Sequence, residues 1–174
     1  MITRRNRDLV LGIYPTTRGF GFVLMSSPLS PIDWGTRGAR GANKNAQCLT
    51  KVARLIEIHQ PDVIVLQDTT APDSRRSSRI RRLCRSIAAL AAGQAIDVQV
   101  YSRAKVRAYF EGFGARTRYE IATAIAKHVT AFEHFLPPPR KLWMNEDTRM
   151  SLFDAASHVM TYYWDGDEEV HNAA

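Results

Sequence analysis

Cysteine is scarce in this chain: Cys48 and Cys84 stand far apart, with no Cys-x-x-Cys pair and no histidine at zinc-finger spacing. That excludes the usual structural zinc motifs and leaves two reduced, partly buried thiols as the expectation. Long apolar runs are missing too, so no segment is a candidate membrane span. The opening Met1-Ile2-Thr3-Arg4-Arg5-Asn6-Arg7-Asp8 leads into a strand-like segment with no sign of a signal peptide. A cytoplasmic protein without membrane contact is expected. Repeats and low-complexity tracts are absent, and acidic residues are in the minority. What is there is a 45 % hydrophobic share over 174 residues, enough for one domain with a buried core. The 24 Lys and Arg against 17 Asp and Glu leave a net charge of +7. Such a surplus favours a polyanionic partner, most simply nucleic acid. Charge alone fits a generically basic soluble protein equally well.

Leu9 to Tyr14 reads as a short buried strand, Pro15-Thr16-Thr17-Arg18 as turn chemistry and Gly19 to Met25 as a second strand, together a hairpin. Ile32 to Gly35 is a short third strand, and the Gly-, Arg- and Asn-rich stretch from Gly35 to Asn45 reads as a mobile loop. Apolar residues at helical spacing predict a helix from Ala46 to His59. Pro61-Asp62 breaks it and introduces the strand Val63-Ile64-Val65-Leu66. A second helix spans Arg75 to Ala92, with Arg75, Arg76, Arg79, Arg82 and Arg85 on its polar side. Asp97 to Tyr101 is a further strand, followed by a short basic helix through Tyr109. Helices over Thr117–Phe135 and Glu146–Trp164 flank the rigid Pro137-Pro138-Pro139 connection. Three antiparallel strands followed by alternating helix and strand make a mixed α/β pattern, which is the ribonuclease H-like order and also fits many other α/β folds.

Four segments carry a resemblance. The run Leu11-Gly12-Ile13-Tyr14-Pro15-Thr16-Thr17-Arg18-Gly19-Phe20-Gly21-Phe22 resembles the opening strand and turn of the RuvC family of Holliday junction resolvases. The run Gln60-Pro61-Asp62-Val63-Ile64-Val65-Leu66-Gln67 resembles that family's Pro-Asp strand, which ends on a catalytic Glu. From Tyr101 through Arg107, Gly112 and Gly114 to Arg118 the chain is similar to its basic helix and Gly-x-Gly turn. Asp154-Ala155-Ala156-Ser157-His158 resembles its closing Asp-Ala-Ala-Asp helix. The set is ordered and covers roughly residues 9 to 164. It implies a ribonuclease H-like α/β fold: a mixed five-stranded sheet, three antiparallel strands then parallel ones, flanked by helices. Residues 1–164 form one such domain, and 165–174 an acidic, flexible tail.

The resemblance further implies phosphodiester hydrolysis with two divalent metals held by four carboxylates. Here Tyr14 stands at the first of those positions, and a phenol with an ordinary pKa of about 10 is a poor Mg²⁺ ligand. Gln67 stands at the Glu position, Asp154 is retained, and Ser157 replaces the last Asp. No metal and no cofactor are expected, with Asp154 the weak candidate ligand. Asp154, Ser157 and His158 share one helical face, so His158 is a possible substitute, and Asp68 is the other. Asp68 follows Gln67 directly and should point to the opposite face of the strand.

For nucleic acid, Arg107 and Arg118 match basic positions that contact DNA in the family, and Arg103, Lys105, Arg75, Arg76 and Arg79 add to them. An arginine-rich helix face also reads as simple solvation. Thr69 and Thr70 occupy the place where the resemblance implies an aromatic wedge. The leading expectation is a homodimeric, resolvase-like protein that binds branched or structured DNA without the nuclease reaction. One alternative is a Mg²⁺- or Mn²⁺-dependent endonuclease with a site rebuilt around Asp154, His158 and Asp68. Another is a protein-interaction subunit that keeps the fold alone.

Overall fold

The computed structural model describes residues 4–172. Strands β1 (Val10–Thr16), β2 (Gly19–Ser27) and β3 (Ser30–Gly38) open the chain, and helix α1 (Lys44–His59) leads to β4 (Val63–Gln67). Helix α2 (Ser78–Gly93), strand β5 (Asp97–Tyr101) and helices α3 (Arg103–Glu111) and α4 (Arg118–His128) follow, and α5 (Met150–Asn172) closes the chain. The sheet order is β3-β2-β1-β4-β5. The β1–β2 and β2–β3 pairs are antiparallel, and β1–β4 and β4–β5 are parallel. This is the expected mixed sheet.

Period-two alternation assigns the two faces. Leu11, Ile13, Phe22, Ile64 and Leu66 pack under α1 and α2, together with the buried, unpaired Cys48 and Cys84. Burial pushes the Cys84 thiol up to about 11, which leaves it protonated and inert. Val10, Val23, Val63 and Val65 face the other way, onto α4 and α5. By the same alternation Tyr14 and Gln67, at the ends of β1 and β4, belong to the α5 face.

Glycine lets α5 sit directly on the strands. A side chain at Gly12 would collide with Ala155 and Val159, and one at Gly21 with the Ser151 main chain. Gly21 is the register partner of Tyr14. The start of α5 is therefore pressed against the sheet beside Tyr14.

Several boundaries differ from those read in the sequence. The third strand runs from Ser30 to Gly38, pairing with β2 along its length, so the loop expected from Gly35 shortens. α2 starts at Ser78 because the Ser77 hydroxyl accepts from the Ile80 amide, which places Arg75 and Arg76 on the preceding extended segment. The helix expected over Thr117–Phe135 opens on a capping box between Thr117 and Glu120. It breaks at Val129 and continues as a 3-10 turn over Thr130–Phe135. The last helix begins at Met150, not Glu146. The segment from Asp165, read as a flexible tail, is helical through Asn172, tied by Asp165 to Lys105 at 2.7 Å and to Tyr109 at 3.1 Å. Residues 173 and 174 lie outside the described range.

Candidate nucleic-acid interface

A cleft of about 440 Å³ opens where the ends of β1 and β4 meet α3, α4 and α5. Tyr14, Gln67, Asp154 and Ser157, the four residues that the resemblance set at carboxylate positions, line it, and so does His158. Its rim carries Arg75, Arg76, Arg103, Arg107 and Arg118. Residues far apart in sequence therefore converge on one surface, strongly cationic and containing, among the described residues, only Asp73 and Asp154 as acids.

Asp154 is 9 % exposed and is gripped by the Arg118 guanidinium. Arg118 Nε donates to Oδ1 at 2.8 Å and to Oδ2 at 3.1 Å, and Nη2 makes a further close bond to Oδ2. The remaining amino group, Nη1, pairs with Glu146. Such a fork on a carboxylate is a strong, directional arrangement. Arg76 holds Tyr14 in the same manner. Its Nη1 donates to the phenol oxygen at 3.1 Å, Nη2 bonds the Pro15 carbonyl, and the guanidinium carbon lies 4.7 Å over the ring. Burial pushes the Tyr14 phenol above its ordinary range, the Asp154 charge adds to the shift, and nearby arginines only partly oppose it. Tyr14 is a neutral phenol at any ordinary pH.

Ser157 and His158 turn inward on their own helix. The Ser157 hydroxyl and His158 Nδ1 both donate to the Asp154 main-chain carbonyl, each at 2.7 Å. His158 is buried, and Gln67 Oε1 is buried without a hydrogen-bond partner among the described residues. Burial lowers the imidazole's pKa below its ordinary value, so the ring is held neutral. A histidine depressed in the fold binds its proton more readily once unfolded, and stability falls as pH drops below about 6.5. Thermal unfolding of the wild type from pH 7.5 to 5 is expected to show that loss, while His158→Asn shows a flatter profile. Parallel profiles would contradict the buried, neutral assignment.

The side chains do not suit the divalent metals that the resemblance implied. Mg²⁺ needs a near-octahedral shell of oxygens, preferably anionic. Here the Asp154 carboxylate is taken by Arg118, Tyr14 is a neutral phenol under Arg76, and the Ser157 hydroxyl serves a main-chain carbonyl. Two guanidinium groups stand where cations would have to bind. Among the described residues, no group of three or more His, Cys, Asp or Glu side chains is placed to hold a metal ion.

Three candidates from the sequence lie outside the cleft. Asp68 Oδ1 accepts from the Thr70 amide at 2.9 Å and its hydroxyl at 2.7 Å, closing the turn after β4. Lys105 gives its charge to Asp165. Arg79 binds the Thr16 carbonyl and Asn45, each within 2.9 Å, and so fastens α2 to the β1–β2 turn. Conversely, a second groove of about 580 Å³ carries Arg18, Arg37, Arg40 and Lys44, none of which was singled out from the sequence. A narrower groove, which also holds Glu146 and Asp147, shares Thr16, Arg18, Thr148 and Ser151 with it and Arg118 with the cleft. The signal for Arg37, Arg40 and Lys44 was the Arg-bearing stretch after Gly35, which a loop assignment deprived of any face.

The architecture, with α5 laid over the β1–β4 junction, is similar to RuvC-type Holliday junction resolvases. Among solved structures, Thermus thermophilus RuvC in complex with a Holliday junction substrate is 13 % identical, with a TM-score of 0.67 over 92 % of this chain and 96 % of that one. The yeast mitochondrial Holliday junction resolvase Ydc2 is 14 % identical, with a TM-score of 0.63 over 93 % of this chain and 81 % of its own. Fowlpox virus resolvase with its Holliday junction DNA is 12 % identical, with a TM-score of 0.54 over 90 % of this chain and 99 % of its own. No protein-family model and no curated protein matches the sequence. Among the described residues no helix is long and apolar enough to cross a membrane.

Proposed function

We propose that this chain is a resolvase-like DNA-binding protein that recognises branched or structured DNA as a homodimer and has lost the two-metal nuclease reaction. One observation carries the reading: arginines, not carboxylates, dominate the cleft at the family's catalytic positions. Arg118 occupies both oxygens of Asp154, and Arg76 holds the neutral Tyr14. A site that would hold cations has become one that attracts anions. Planar guanidinium forks suit phosphate oxygens, and Arg75, Arg103 and Arg107 stand exposed at the rim to meet them. Two of the similar structures hold Holliday junction DNA, which supports a branched duplex as the ligand.

The endonuclease alternative would need Asp154 and His158 to turn toward a metal. The first would have to leave Arg118, and the second, with Nδ1 bonded to the helix carbonyl, would have to reach the metal through its buried Nε2. The reading is tested by gel shift and strand analysis on a four-way junction. The protein is expected to bind the junction in preference to a linear duplex and to leave every strand intact. Binding that does not respond to salt would oppose it and favour a protein-interaction role.

A further inference from the structure

The strap between α4 and α5 ends in an exposed tryptophan that the fold does not use. Pro137-Pro138-Pro139 stiffens its first half, and the Tyr119 hydroxyl donates to the Pro137 carbonyl at 2.9 Å, anchoring it to α4. Beyond the prolines the chain closes a tight turn. The Met144 amide donates to the Lys141 carbonyl at 3.0 Å, and Arg140 Nε donates to the Met144 carbonyl at 2.7 Å. At the tip of this turn Leu142 is 98 % exposed and Trp143 80 %. The other two tryptophans are packed: Trp34 against Phe132, and Trp164 against Phe110 and Phe113, with ring centroids 5.3 Å apart in each case. A large apolar ring held out in water by a hydrogen-bonded turn contributes nothing to the core and is a feature for contact.

The surroundings specify the contact. Arg140 and Lys141 flank the tip, with the Lys141 ammonium 5.3 Å from the Trp143 ring centre. Under the strap a groove of about 370 Å³ is walled by Arg118, Tyr119, Pro139, Arg140 and Met144. Arg118 also walls the arginine cleft, so the groove at the base of the turn adjoins that cleft, with Glu146 and Asp147 on its wall. An aromatic face beside cations matches a ligand with flat π-faces on an anionic backbone, which is a nucleic-acid strand. Paired bases in a continuous duplex hide those faces, whereas a branch point or single-stranded stretch presents them.

We infer that Trp143, flanked by Arg140 and Lys141, is a stacking site for base faces exposed at a branch point, beside the cleft. The inference rests on the DNA-binding reading and adds to it a source of preference for branched over linear DNA. Base–aromatic stacking is sequence-tolerant, so the preference is for structure.

The test compares the full-length wild type with Trp143→Ala and Trp143→Phe on a four-way junction and on a linear duplex. Trp143→Ala is expected to weaken junction binding by about tenfold or more and duplex binding by less than about twofold. Trp143→Phe, which keeps a stacking ring, is expected to stay within about threefold of the wild type on both. With 5-iodouracil at the branch point, irradiation is expected to give a crosslink that maps to Trp143. Equal junction affinity in wild type and Trp143→Ala overturns the inference, and so does an equal loss on junction and duplex. Binding of the tip to anionic phosphatidylglycerol vesicles, with no Trp143-dependent effect on DNA, overturns it in favour of a membrane contact. A wild type that binds neither DNA defeats the functional reading itself, which separates that failure from this one.

Discussion

Replacing Arg75, Arg103 and Arg107 together by alanine is expected to weaken binding to a four-way junction on the order of 100-fold at 0.1 M salt. The slope of log affinity against log salt should flatten by about three, nearly one unit for each phosphate that is no longer neutralised. All three side chains are exposed at the mouth of the cleft, and none is paired with a carboxylate among the described residues. Their removal should therefore shift unfolding by less than about 0.5 kcal/mol, as for ordinary surface substitutions. Linear duplex should suffer comparably, because phosphate contacts carry no information about branching. Lys105→Ala supplies the internal contrast. Lys105 lies between Arg103 and Arg107 in sequence, yet its ammonium is held by Asp165 at 2.7 Å. Its removal should leave the salt slope nearly unchanged. Salt titrations by fluorescence anisotropy read both effects, and an unchanged slope in the triple variant would mean that the cleft is not the DNA surface.

Arg118→Ala is expected to destabilise the fold by about 2–3 kcal/mol, the scale for losing charge-assisted hydrogen bonds in a partly buried pair whose arginine is one-third exposed. The reason is the carboxylate left behind, since Asp154 is 9 % exposed and takes both of its strong donors from Arg118. Asp154→Asn should cost less, about 1–2 kcal/mol, because an amide can still accept from the guanidinium. The two variants should also move DNA affinity in opposite directions. Arg118→Ala removes a cation shared by the cleft and the grooves beside it, whereas Asp154→Asn removes the charge that neutralises it. Combining Arg118→Met with Asp154→Leu should recover most of the stability without recovering DNA affinity. Thermal and denaturant unfolding, run beside binding, separate these outcomes. Equal and small effects of Arg118→Ala and Asp154→Asn on stability would contradict the assigned pair.

The sheet and its helices were legible because alternation in β1 and β4 and helical spacing in α1 and α2 are strong local signals. That Tyr14 and Gln67 face one site followed from the same alternation, together with the ordered family resemblance. The Arg118–Asp154 pair was not legible, since it joins the start of α4 to the first turns of α5 across a strap with no regular pattern. Arg118 was read as a DNA contact, and nothing local to it announces a carboxylate. Lys105 shows a different gap. Arg103 and Arg107 are four apart and share a helical face, whereas Lys105 is two along and points elsewhere. Treating the three as one surface overlooked that geometry. The end of α5 was missed because acidic residues after Trp164 suggested solvent, while Asp165 finds its partners on α3. Trp143 drew no notice because it falls between the Pro137-Pro138-Pro139 connection and the helix expected from Glu146, and only the closed turn reveals that it is displayed.

The central claim is that the cleft binds DNA through arginines and does not cut it. The most direct measurement incubates an end-labelled four-way junction with the wild type in Mg²⁺ and, separately, in Mn²⁺, alongside Asp154→Ala, and scores binding and strand scission in the same samples. The expected result is a shifted junction with intact strands in every sample, and binding by Asp154→Ala at least as tight as by the wild type. Metal-dependent cleavage by the wild type that disappears in Asp154→Ala would contradict it.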